Sequence, residues 1–247
     1  MSRSWFGFRY YASWLVFGGL CVAVNLLLAP LLLLPRRERF GPFARRMIRG
    51  CLQFWLWWLH VWRIVEVRWD GWSATSCPGG CVYVANHPTL IDATLILARL
   101  KNAVCIFKPR LLRNPIIAPA ALLAGYIASN RRDALRVAAA QVRTGCSLLL
   151  FPEGTRTAEG HSLNPLKPGF SLIARQANAS VHVLRLRSSP GLLPRGCAWW
   201  RLPPGPMWVE ITRDGVIRPE EFSDPRTMVS RVEKRLRHPP PPAVCLT

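Results

Sequence analysis

From about residue 80 onward the chain alternates short apolar runs with amphipathic stretches, and this alternation constrains the fold more than any other feature. Strand-like runs stand at 81–86, 104–108, 126–129, 147–151 and 180–187, with a further one at 207–212. Helix-like stretches lie between them at 90–100, 132–142 and 169–178, and 225–237 reads as a closing helix. Strands that alternate with helices of this length build an α/β fold. The expected architecture is a largely parallel or mixed sheet flanked by helices, preceded by an N-terminal membrane-associated helical segment. The proline run at 239–242 stops regular structure. The expected organisation is therefore a core domain at 67–238 and a Pro-rich tail at 239–247.

Residues 14–34 contain no charged side chain and are bracketed by Arg9 and by Arg36, Arg37 and Arg39. About twenty apolar residues suffice to cross a bilayer core. The Gly18-Gly19 pair and Pro30 equally admit a kinked or re-entrant helix. The downstream side, with Arg45, Arg46 and Arg49 added, is the more basic and is expected to be cytoplasmic. Residues 47–64 carry Trp55, Trp57, Trp58 and Trp62, and Trp69 and Trp72 follow. An indole combines an apolar ring with a polar N–H, which suits the headgroup level of a membrane. This segment reads as a helix lying on or dipping into the inner leaflet, with a buried aromatic helix as the alternative. Residues 1–66 are thus an anchor and interfacial helix, and the expected location is the cytoplasmic face of a bacterial-type inner membrane.

Half of the 247 residues are hydrophobic, yet the net charge is +20. That combination describes a surface seeking anions beside apolar surface seeking lipid. Nucleic acid is not an expected partner, because the basic residues are scattered and no helix-turn-helix, zinc-finger or RRM text occurs. The eight cysteines lack paired metal-ligand spacing. Cys77 and Cys81 form the closest pair, and free thiols are expected.

Two segments, each directly after a strand-like run, carry groups suited to chemistry. The first is Asn86-His87-Pro88-Thr89-Leu90-Ile91-Asp92, which sets a histidine and a carboxylate about one helical turn apart. Histidine titrates near neutrality and so suits removal of a hydroxyl proton. A carboxylate on the far ring nitrogen fixes the tautomer and stabilises the imidazolium. His87 is the candidate base and Asp92 its orienter. The second is Phe151-Pro152-Glu153-Gly154-Thr155-Arg156. Gly154 permits close backbone approach to an oxyanion or phosphate, and Arg156 offers the forked contact that phosphate oxygens favour. Glu153 either binds acceptor hydroxyls or braces Arg156. His60, His161, His182 and His238 have no matching carboxylate nearby in sequence and are read as structural or exposed. No Ser or Cys stands in a G-x-S-x-G context, so a covalent intermediate on the protein is not indicated.

This ordered pair of segments resembles the paired signature of the glycerolipid acyltransferases of the 1-acylglycerol-3-phosphate acyltransferase type, over about residues 81–187. The resemblance implies transfer of a fatty acyl chain to the hydroxyl of a lysophospholipid, 1-acylglycerol-3-phosphate foremost. It implies His87 and Asp92 as a general-base dyad, and Glu153, Gly154, Thr155 and Arg156 in the acceptor site. Lys108 corresponds to the lysine of the family's second block and adds a phosphate contact. That block departs from the family's Lys-x-Glu-Leu: here Lys108-Pro109-Arg110-Leu111 precedes Asn114-Pro115, so a base replaces an acid. Arg110 implies a different or more anionic acceptor. In the fourth block Val183 stands where the family tends to carry a proline. The mechanism calls for no metal or resident cofactor, since acyl-CoA or acyl carrier protein enters as co-substrate. The implied partners are a phospholipid membrane, the lysolipid and the acyl donor. Two other readings are the same chemistry on a lyso-aminolipid or polyene-bearing lipid, and a non-catalytic membrane lipid-binding protein. The His87–Asp92 pair argues against the second, because binding needs no base.

Overall fold

The computed structural model describes residues 2–72, 79–158, 160–221 and 224–237. Cys77, His238, Cys245 and the expected Pro-rich tail lie outside the described residues. Seven strands occur in chain order: β1 (Val65–Asp70), β2 (Val82–Ala85), β3 (Ala103–Phe107), β4 (Ile127–Ala128), β5 (Ser147–Leu150), β6 (Val181–Ser188) and β7 (Met207–Ile217). They form one sheet in the order β1-β7-β6-β2-β5-β3-β4. Every pairing is parallel except β6 with β7. The mixed α/β sheet matches the expectation from the alternating runs.

Helices cover both faces, as a parallel sheet requires. Successive strand residues point to opposite sides. Val82 and Val84 therefore pack under α5 (Ala134–Arg143), α6 (Gly169–Ala177) and α7 (Pro225–Arg237). Tyr83 and Ala85 pack on the other side with α2 (Gly41–Val61) and α3 (Asp92–Arg99). All four residues of β2 and of β5 are buried. Each large aliphatic side chain so buried contributes about 1.5–3 kcal/mol, and these two strands are the rigid platform beneath the site.

α1 (Arg3–Leu28) and α2 form an antiparallel hairpin, shown by ring contacts of Trp5 with Trp62 and of Trp14 with Trp55, and by the cluster of Leu28 with Ala44. α1 runs unbroken through Gly18 and Gly19; it ends at Leu28 and continues as a 3-10 turn, Ala29–Leu33, around Pro30. The helix is long and apolar enough to cross a membrane by length and composition, and little of it is buried. Both of its ends are nevertheless tied to the sheet domain. Tyr10 Oη donates to the Trp199 carbonyl at 2.5 Å. Asn25 Nδ2 donates to the Ile116 carbonyl at 2.6 Å and Asn25 Oδ1 accepts from the Ala120 N–H at 2.8 Å, fastening α1 to α4 (Ala118–Leu123). α2 buries Leu52, Trp55 and Leu59 in the core while Phe54, Trp57 and Val61 stay exposed.

The structure adds two elements to the expected ones. β1 was not among the expected strands, and it occupies the sheet edge beside β7. An anchor ending at residue 66 would cut β1 after two residues, and Tyr10, Trp14 and Trp55 pack in the same cluster as the sheet residues Tyr83 and Leu184. Residues 1–66 are thus part of the sheet domain's packing. α4 was also unexpected; six residues are too few to display a helical period.

Candidate active site

The carboxyl ends of β2, β5 and β3 lie side by side, and the loops leaving them carry the two motifs and Lys108. Asn86 closes β2 against β6: its Nδ2 donates to the Leu186 carbonyl at 2.9 Å, and its Oδ1 accepts the Leu186 N–H at 2.7 Å. The chain then turns into α3, whose first residue is Asp92. His87 Nδ1 lies 2.8 Å from Asp92 Oδ2, and the carboxylate is fully buried. The same carboxylate accepts the Thr89 N–H at 2.7 Å and the Thr89 hydroxyl. With Nδ1–H donated to Asp92, Nε2 is the nitrogen left to take a proton. The imidazole stacks on Phe151 with ring centroids 4.2 Å apart.

Glu153 turns inward. Its carboxylate is buried and accepts the His87 N–H at 2.8 Å, the Asn164 N–H at 2.8 Å and the Thr157 hydroxyl at 3.0 Å. It forms no ion pair with Arg156 among the described residues. The His87 carbonyl in turn accepts the Thr157 N–H at 2.7 Å. Both backbone groups of the histidine are thus bound from the second motif and the residue that follows it.

The rest of that motif shapes a cationic turn. Gly154 has φ +69°, and a Cβ there would approach Lys167 Nζ to 3.1 Å, so glycine lets the ammonium lie over the turn. Lys108 Nζ lies 3.4 Å from Thr155 Oγ1. Arg156 Nη1 donates to the carbonyls of Leu193 (3.0 Å) and Pro194 (2.7 Å), which holds the guanidinium against the loop between β6 and β7. Burial pulls the Lys108 ammonium below its usual value, and Arg110, Arg156, Arg195 and Lys167 pull it further. Arg156 is also lowered, by burial first and then against neighbouring Arg110 and Arg195, with Cys197 and Asp92 opposing. This is a field prepared for an anion.

The structure therefore brings together His87, Asp92, Lys108, Gly154, Thr155 and Arg156, and turns Glu153 inward beneath them. The sequence reading assigns no role to Thr89, Thr157, Asn164, Lys167 or Arg195. Thr89 and Thr157 sit in or beside the motifs and were readable as donors to the carboxylates. Lys167 and Arg195 reach the turn from separate loops, and no spacing in the sequence points to them. Of the remaining histidines, His182 is buried and His60 and His161 are exposed.

Residues 72–187 match the family model described as Acyltransferase. The chain is 30% identical over 122 residues to a chloroplastic 1-acyl-sn-glycerol-3-phosphate acyltransferase of Brassica napus, covering 47% of this chain and 35% of that protein. It is 25% identical over 164 residues to the chloroplastic 1-acyl-sn-glycerol-3-phosphate acyltransferase of Arabidopsis thaliana, covering 64% of this chain and 46% of that one. The chain thus spans less than half the length of these two relatives. Its fold is shared with the crystal structure of the 1-acyl-sn-glycerophosphate acyltransferase of Thermotoga maritima, with a TM-score of 0.72, 23% identity, and coverage of 94% of this chain and 92% of that one. The segment that carries both motifs is thus similar to the acyltransferase family model, and the relatives and the solved structure that the chain resembles are 1-acyl-sn-glycerol-3-phosphate acyltransferases.

Proposed function

We propose that this protein transfers a fatty acyl group from a thioester donor, acyl-CoA or acyl carrier protein, to the free hydroxyl of 1-acylglycerol-3-phosphate. The observation that carries the reading is the contact of His87 Nδ1 with the buried Asp92 carboxylate, on the same sheet edge as the cationic turn. The acceptor hydroxyl gives its proton to His87 Nε2 as its oxygen attacks the thioester carbonyl. Asp92 stabilises the imidazolium that forms. Collapse of the tetrahedral intermediate expels the thiolate, which takes the proton back from His87, so the dyad ends as it began. Lys108, Arg156 and Lys167 hold the acceptor phosphate. The chain's own groups carry every proton, and the acyl carrier is a co-substrate.

A membrane setting follows from the hairpin. Leu15, Leu26 and Leu33 are 77%, 71% and 88% exposed, which water disfavours and lipid does not. A small apolar void lined by Tyr10, Trp14, Trp55, Ile91 and Leu193 lies where the hairpin packs on the sheet, and it is too small to hold an acyl chain. The domain then works at a membrane surface, for which the cytoplasmic face of a bacterial inner membrane is our assignment.

The test is a lysolipid panel with purified full-length protein in detergent, scored by mass spectrometry for the acylated product. We expect product from the phosphate monoester lysolipid. We also expect a loss of about 10²–10⁴-fold in rate for a folded His87→Ala protein. Activity of that variant within a few-fold of wild type would sink the dyad.

A further inference from the structure

The carboxyl edge of the sheet carries more positive charge than an acceptor phosphate accounts for. Lys108, Arg156 and Lys167 already surround the Gly154–Thr155 turn, enough for a phosphate monoester. Farther along the same edge stand Arg110 and Arg113, in the turn after β3, and Arg132, in the loop after β4. All three are exposed, and none forms an ion pair among the described residues. Arg131 and Arg136 differ, since both are neutralised on Asp133.

The placement has a direction. Phe107 pairs with Ala128, and the Ser129 N–H donates to the Phe107 carbonyl at 2.9 Å, so the loops bearing Arg110, Arg113 and Arg132 leave the sheet together. His87 leaves from β2, and β5 and β3 separate β2 from β4. Those three strand spacings amount to about 14 Å. A phosphopantetheine arm has about thirteen bonds between its sulfur and its phosphorus. That is a little over four residues of extended chain, or about 15 Å. An acceptor with its hydroxyl at His87 and its phosphate at the Gly154 turn has no group left to reach β4.

We propose that Arg110, Arg113 and Arg132 form a second anion site, which binds the phosphate of the donor's phosphopantetheine arm while its thioester lies at His87. The proposal rests on the acyl-transfer reading and adds the donor's footprint to it. Coenzyme A and carrier proteins share this arm, so the site recognises what the two donors have in common. The forked guanidinium suits a phosphodiester better than an ammonium would, and every member of this outer group is an arginine.

The test is equilibrium binding by calorimetry to the full chain in detergent, with 4′-phosphopantetheine, pantetheine and coenzyme A as probes. Phosphopantetheine should bind about tenfold or more tighter than pantetheine, in line with charge-assisted contacts to phosphate. That preference should vanish in an Arg113→Ala/Arg132→Ala protein whose thermal midpoint and lysolipid binding match wild type. Coenzyme A no tighter than phosphopantetheine assigns the site to the arm alone, as a carrier-protein donor needs. A further gain for coenzyme A that is lost in the double variant extends the site to the nucleotide phosphates. Equal binding of pantetheine and phosphopantetheine by wild type, or an unchanged preference in the variant, overturns the proposal. Because binding needs no turnover, the two readings fail separately. Absent acyl transfer with intact phosphopantetheine preference sinks the proposed function, and transfer without that preference sinks this site.

Discussion

At the scale of single residues, the site is a histidine held from three directions. Asp92 fixes its ring, Phe151 its plane and Glu153 its backbone. The third contact yields a prediction that separates positioning from acceptor binding. Glu153→Gln removes a charge and sets an amide NH₂ against one of three donors, leaving a buried group unsatisfied at about 1–3 kcal/mol. We expect kcat to fall by about tenfold or more, with KM for the lysolipid nearly unchanged. A rise in KM at constant kcat would instead return Glu153 to the acceptor site. The dyad was legible in the sequence because both partners lie in one seven-residue segment, where spacing alone sets their geometry. The inward turn of Glu153 was not, because it depends on donors from Thr157 and Asn164, presented only once the loop has folded over the strand end.

At the scale of elements, β6 carries a group whose cost is visible in acid. His182 is buried beside Tyr83, with Ser180 Oγ 3.2 Å from its Nε2. Burial first, and then the Arg213 cation, lower its pKa to about 4. The unfolded histidine titrates near about 6.5, so between these values the unfolded chain binds more protons than the folded one. Stability should therefore be complete above about pH 6.5 and decline as pH falls towards 4, by up to about 3 kcal/mol from this residue. Chemical denaturation at several pH values, repeated on His182→Gln, checks this. The variant should lose that part of the pH dependence; an identical slope would locate the effect elsewhere. The strands of the central sheet could be read from their unbroken apolar runs. β1 could have been, since Val65-Glu66-Val67-Arg68-Trp69-Asp70 alternates, but its pattern merges with the tryptophan-rich helix before it. Which tryptophans of α2 enter the core was not readable: Trp55 and Trp57 are two positions apart and face opposite ways, and composition is blind to that.

At the scale of the whole molecule, the hairpin carries exposed apolar surface and packs against the sheet that bears the proposed site. Exposed Leu26 and Leu33 contact little of the protein and should matter only to the membrane. We expect the full chain to stay with anionic vesicles in high salt. Leu26→Asp/Leu33→Asp should wash off, retained at low salt only through basic residues worth about 1 kcal/mol each before screening. Its thermal midpoint should match wild type. Sedimentation at low and high salt decides the matter, and release of the wild-type chain by salt alone would remove the hairpin from the bilayer. Deleting residues 1–35 is a different experiment, because Tyr10, Trp14 and Asn25 go with them and the sheet domain loses packing as well as an anchor.

Among the described residues β1 pairs with β7 and no other strand, and this has a further consequence, in time. Val65 lies opposite Met207, so about 140 residues must be made before the edge strand meets its neighbour. At about 5–20 residues per second a ribosome takes roughly 7–28 seconds over that stretch. Throughout the interval β1 hangs from the end of α2 with its hydrogen-bonding edge open, the state in which strands recruit the wrong partners. A hairpin already seated in lipid would keep that edge at a fixed height, away from other nascent chains. The anchor would then guard the protein's birth before it ever serves its chemistry.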